Sequence, residues 1–136
     1  MIFIEVIVVA ALIGALLELD EYYVGITLVS QPIIAGGLAG FFCGDIKTGI
    51  VIGGIVQLIW LMPPVGAYVP PSPSAIAFSS TFMGVVMAAS RPQDERHALL
   101  MFALIIGACF GYFTGQMDVW NRQLNTRIMR LFEKKI

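Results

Sequence analysis

Charge is what this sequence has least of: 12% of its 136 residues are Asp, Glu, Lys or Arg, against 58% that are hydrophobic. Soluble domains are about a quarter charged and half apolar, and a water-soluble domain this short could not hide so much apolar surface. A single histidine, His97, and two cysteines without a CxxC pairing, Cys43 and Cys109, leave no metal or redox cluster, so no metal and no cofactor is expected. His97 follows Asp94, Glu95 and Arg96 in a charged loop and reads as a solvated residue, not a phosphoryl acceptor. No catalytic constellation and no nucleic-acid signature appear, so an enzyme is not expected. A basic leader with a small-residue cleavage site is also missing, and Glu5 interrupts the first apolar run, so that run is expected to be a mature helix.

What is present is a series of apolar blocks with the charges pushed between them. The blocks are 2–17, 24–43, 50–62, 75–90 and 98–115, near the roughly 20 residues that cross a hydrocarbon core of about 30 Å. Glu18, Asp20 and Glu21 close the first, followed by Tyr22 and Tyr23, which suit an interface. Gln31-Pro32 and the glycines 36, 37 and 40 lie inside the second and predict a kinked or broken helix. Between Pro63 and Ser74 stand five prolines and no charge, which excludes regular helix there.

From 116 onward Trp120, Leu124, Ile128 and Leu131 fall on one helical face, with Arg122, Arg127, Arg130, Lys134 and Lys135 supplying positive charge. That pattern predicts a separate amphipathic helix, 116–136, lying on anionic lipid headgroups. Five simple crossings would put Lys47, Arg91 and Arg96 opposite the basic tail, against the positive-inside rule. A re-entrant hairpin near 50–74, made of the third block and the proline-rich stretch, puts Lys47 and the tail on the cytoplasmic side together. The expected fold is therefore an all-α membrane protein, with about four transmembrane helices and a re-entrant hairpin in 1–115, then the C-terminal amphipathic helix.

Spacings of four between small residues, Gly36/Gly40, Gly49/Gly53 and Gly107/Gly111/Gly115, permit close helix packing, either within the bundle or against a partner or a second copy. Gln57, Tyr68 and Ser72, with the bare carbonyls around Pro70 and Pro71, could offer a neutral sugar its hydroxyl partners. Gln57 could equally hold two helices together, Tyr68 could anchor at the interface, and Asp45 reads as a helix cap with Thr48 nearby.

The run Gly44-Asp45-Ile46-Lys47-Thr48-Gly49, then Gly53-Gly54, then Leu58 to Leu61 leading into Pro64-Val65-Gly66-Ala67-Tyr68-Val69-Pro70-Pro71, resembles the IIC membrane subunit of the mannose/fructose/sorbose family of the bacterial sugar phosphotransferase system. The likeness extends over about 19–81 and covers what would be the N-terminal half of such a subunit. It implies a multi-pass protein of the inner membrane, its tail cytoplasmic, that works beside a IID-like membrane subunit and the soluble IIA and IIB phosphocarriers. It would help a hexose-type sugar cross while IIB phosphorylates it. The family pattern has a carboxylate where this chain has Gln57, often an arginine where it has Gln31, and an acidic or amide residue where it has Ser72. These departures imply either a different sugar or a non-transporting half-subunit that serves as a scaffold for its partners.

Overall fold

In a computed structural model, which describes residues 2–20, 28–60 and 71–133, the described residues are helical apart from brief turns. The elements are α1 (Ile2–Leu19), a 3-10 turn (Leu28–Ser30), α2 (Pro32–Cys43), α3 (Ile46–Ile59), α4 (Pro73–Ala88) and α5 (Gln93–Glu133). Prolines open α2 and α4 at their first turn, where the missing N–H costs nothing. Gly44 ends α2 in the left-handed region, φ 81°, so that its own N–H bonds to Phe41 O and that of Asp45 to Gly40 O. Asp45 then caps α3, and the chain reverses in two residues.

This reversal makes α2 and α3 an antiparallel hairpin whose backbones touch. A Cβ on Gly36 would lie 2.5 Å from Gly49 O, and one on Gly40 would lie 2.6 Å from Asp45 O. One on Gly49 or Gly53 would come closer still to the carbonyls of Gly36 and Pro32. Glycine is required here for approach, not for backbone freedom. The glycine spacings of α2 and α3 thus face each other inside the chain. The same logic joins α4 to α5, with Gly107 against Ser80 and Gly111 against Ile76.

Helix α4 is the central one, packed on α1, α2, α3 and α5, and ten of its sixteen residues are buried. The core joins Ala35 and Ala39 of α2, Ile52 and Val56 of α3, and Ile76, Ala77 and Phe78 of α4, with Ala10 and Leu17 of α1 at its side. The outer surface is no less apolar: Leu12, Phe41, Val51, Leu58, Ile105 and Phe113 all lie more than half exposed. A patch of that extent fits hydrocarbon, not water.

Among the described residues one helix, α5, is long and apolar enough to cross a membrane, and the other apolar helices are shorter. Helices α2 and α3, 12 and 14 residues long, reach only about 18 and 21 Å. They pair with each other, whereas most of the proline-rich stretch expected to pair with the third block, 61–70, lies outside the described residues. Nor does the tail start a new helix. α5 runs unbroken through 116–133, about 60 Å in all, carried across the expected boundary by Thr114 Oγ1 donating to Gly111 O and by the Asp118–Arg122 pair one turn apart.

The ends of the helices correct the expected charge arrangement. Asp45, in the α2–α3 turn, forms an ion pair with Arg96, in the first turns of α5. The turn bearing Lys47 therefore lies at the Arg91–Arg96 end of the bundle, and the tail's Arg122, Arg127 and Arg130 lie toward the far end of the same helix. Counting a few loop charges pointed the other way, and direct contact outweighs it.

Gly49→Ala should destabilise the protein by about 3 kcal/mol, the upper end of ordinary overpacking, because a backbone carbonyl cannot yield as a side chain can. Gly54→Ala, where a Cβ meets nothing within 4 Å, should leave stability unchanged. Thermal unfolding of the two variants in detergent checks the contrast.

Candidate functional site

Polar side chains collect at the two ends of the hairpin. At the tip, Asp45 Oδ1 accepts from Thr48 N (3.2 Å) and its Oδ2 from Thr48 Oγ1 (2.7 Å), while Arg96 approaches the same Oδ2. The Thr48 hydroxyl, chiefly, holds the Asp45 carboxyl below the usual carboxylate range. Partial burial pushes the other way, and the Thr48 N–H, Arg96 and Lys47 add to the lowering. Lys47 itself is exposed. The Gly44 to Gly49 motif is thus a helix-to-helix turn locked to α5, with Gly53 in the helix seam and Gly54 in open space.

At the open end of the hairpin, Gln57 reaches from α3 to the start of α2. Its Oε1 accepts from Ile33 N (3.2 Å), and its Nε2 donates to Gln31 Oε1 (3.2 Å). The Gln31 carbonyl takes the next two amides, Ile34 N and Ala35 N, each at 2.9 Å. Pro32 has no N–H, so every donor of the first turn of α2 is accounted for, one of them by Gln57. Gln31 and Gln57 are therefore in contact and form a neutral amide pair.

Ser72 stands at the start of α4, fully buried. Its hydroxyl donates to Glu18 Oε1 (2.5 Å), accepts from Ala75 N (3.2 Å) and lies 3.2 Å from Ser74 Oγ, and its N–H donates to Gly111 O (3.1 Å). One residue thereby ties α1, α4 and α5 together. Pro71 precedes it, half-buried, and Tyr68 and Pro70 lie outside the described residues. Both Gln57 and Ser72 sit at helix ends remote from the Asp45–Arg96 pair, roughly 20 Å down helices of 14 and 16 residues. Uncharged hydrogen-bonding groups at that depth suit a neutral, hydroxyl-bearing ligand better than an ion.

A separate groove of about 490 Å³ lies between α1, α4 and α5, walled by Ala10, Gly14, Phe78, Phe82 and Phe110. Its lining offers hydrocarbon contacts, not hydroxyl partners.

The arrangement accords with a family comparison: residues 2–136 match the family described as the sorbose-specific IIC component of the phosphotransferase system. The chain belongs to that family. Over 53 residues it is 34% identical to the putative N-acetylgalactosamine permease IIC component 2 of Escherichia coli K12, covering 38% of this chain and 40% of that protein. Over 81 residues it is 36% identical to the mannose-specific EIIC component of the same strain, covering 57% of this chain and 28% of the relative. N-acetylgalactosamine permease IIC component 1 is 30% identical over 90 residues, 63% of this chain and 32% of that protein. The matched parts span less than half the length of these curated relatives. No solved structure matches the chain significantly.

Two contacts went unforeseen in the IIC sequence. Gln31 and Gln57 are 26 residues apart, and Glu18 and Ser72 are 54 apart, so neither pair falls in a local motif. The one available signal for the first was that both residues are amides inside apolar blocks.

Because the folded-state pKa of Asp45 is lowered, its contribution to stability is present above the unfolded value of about 3.9 and is lost as pH falls through the folded value. Asp45→Ala should cost about 1 kcal/mol at neutral pH, the worth of a helix cap, and should flatten the loss of stability below about pH 4. Melting temperatures of both proteins across pH 3 to 7 check it.

Proposed function

We propose that the chain is a membrane subunit of a sugar permease of the phosphotransferase system, helping a hexose-type sugar cross the bacterial inner membrane while a separate soluble subunit phosphorylates it. The observation that carries this beyond family membership is the neutral amide pair at the open end of a short helical hairpin. A sugar needs hydroxyl-matching donors and acceptors without net charge, and at membrane depth these are few. Gln57 is the centre of the proposed site, with Tyr68, Pro70, Pro71 and Ser72 completing it. Ser72 contributes by holding α1, α4 and α5 in place. The tip residues Gly44, Asp45, Lys47, Thr48 and Gly49 form the fixed point of the hairpin, remote from the sugar.

A IID-like membrane subunit is the proposed neighbour, and soluble IIA and IIB proteins the source of the phosphoryl group, so the chain itself performs no catalysis. The tail carries five of the eight basic residues, Arg122, Arg127, Arg130, Lys134 and Lys135, against Lys47, Arg91 and Arg96 at the opposite end of α5. This excess supports a cytoplasmic tail in a multi-pass inner-membrane protein. The exposed stripe of Trp120, Leu124 and Ile128 beside those charges supports contact with anionic lipid headgroups.

A second reading is a non-transporting half-subunit or scaffold. It is favoured by the extent to which the Ser72 hydroxyl is already engaged within the protein.

Uptake of radiolabelled mannose, sorbose and N-acetylgalactosamine separates the two, measured in cells that carry the chain with its partner subunits. Transport predicts that deleting the chain abolishes uptake of one of these sugars and that Gln57→Ala lowers it about tenfold, the worth of one or two hydrogen bonds. Unchanged uptake on deletion, with the partner complex falling apart, would establish the scaffold.

A further inference from the structure

The polarity of the amide pair is fixed by the backbone. Ile33 N–H can only donate, so the Gln57 atom that faces it at 3.2 Å must be the carbonyl oxygen. That leaves the Gln57 NH2 group toward Gln31, and the Gln31 atom that accepts from it must in turn be its own oxygen. The three groups form a directed chain, from Ile33 N–H through the Gln57 amide to the Gln31 amide. Such chains polarise along their length. The chain ends on the Gln31 NH2 group, and neither of its N–H donors has a partner among the described residues. Gln31 is only half-buried, so the group is within reach of a ligand.

We infer that Gln31 is a specificity-determining residue, whose NH2 group donates to a hydroxyl oxygen of the sugar, and that Gln57 acts chiefly by orienting it. The inference rests on the sugar-site reading above and changes the roles within it. The ligand it requires is an uncharged hydrogen-bond acceptor. A cation would meet the donor end of the chain, and an anion would need a positive charge that neither glutamine supplies.

The test uses cells carrying the chain with its partner subunits and reads half-saturation and maximal rate of uptake for radiolabelled mannose, sorbose and N-acetylgalactosamine, then for monodeoxy analogues of whichever sugar is carried. Gln31→Glu keeps an acceptor for Gln57 but removes both donors. It should raise half-saturation about tenfold, one lost hydrogen bond to substrate, with maximal rate held within about twofold. For one monodeoxy analogue the losses should fail to add, because the variant lacks the donor and the analogue the acceptor of the same bond. Should Gln31→Glu fail to accumulate in the membrane, Gln31→Met, uncharged and of similar length, carries the same comparison. Penalties that add for every analogue, or normal half-saturation in Gln31→Glu beside impaired transport in Gln57→Met, would overturn the role of Gln31 and leave the site in place. If the wild-type chain carries none of the sugars, or if no substitution at 31 or 57 alters half-saturation, the site itself is refuted, and this inference with it.

Discussion

Backbone contact between α2 and α3 is the constraint on which the rest of the molecule depends. Hydrocarbon gives two apolar helices no hydrophobic reason to associate, so the gain must come from close packing and from weak Cα–H···O contacts that only small residues allow. Gly36, Gly40, Gly49 and Gly53 supply that approach at four places along one seam. The seam sets the register, and the register brings Gln57 opposite Gln31 and the Ile33 amide. It also presents one composite face, Ala35 and Ala39 beside Ile52 and Val56, on which α4 packs. Through α4 the same constraint reaches α5, along a second seam where Gly107 and Gly111 admit Ser80 and Ile76.

The polar groups divide by charge between the hairpin ends. The tip holds an ionic set, Asp45 with Thr48 and Arg96. The open end holds the neutral amides of Gln31 and Gln57 and the Ser72 hydroxyl, and such groups are the ones tolerated in hydrocarbon, where an unpaired charge costs several kcal/mol. Glu18 is the exception and takes a hydrogen bond from the Ser72 hydroxyl. A neutral end of limited capacity, set in a rigid frame, is the form that recognition of an uncharged polyol demands.

Much of the architecture was legible from composition. The first, third and fourth apolar blocks correspond to α1, α3 and α4 within about four residues at each end, the Gly44-Asp45 turn and the Asp45 cap with Thr48 were readable from local chemistry, and the glycine spacings announced close packing. What the sequence could not say was which glycine row met which. Placing Lys47 at the end opposite Arg91 and Arg96 came from loop charges, of which there are only eight basic ones in the whole chain, and a single contact between residues 51 apart, Asp45 and Arg96, puts them at one end instead. The continuity of α5 past residue 115 was hidden for a related reason. A change from apolar to amphipathic composition marks a change of environment, and a helix can pass through that change without breaking. Of the candidate ligands, Gln57 was visible as a polar residue in an apolar block. Gln31 read as the residue before a proline and as a departure expected from the resemblance, without its link to Gln57.

The account requires that the α2–α3 tip and the start of α5 share one face of the membrane and that the tail emerge on the other. Single cysteines at Lys47, Gln93 and Arg127, in a chain with Cys43 and Cys109 replaced by alanine, probe this directly in intact cells with a thiol reagent that does not cross the membrane. The account predicts that Lys47→Cys and Gln93→Cys react from outside, and that Arg127→Cys reacts only after the cells are opened. Reaction of Lys47→Cys and Arg127→Cys from the same side, with Gln93→Cys on the other, would contradict it.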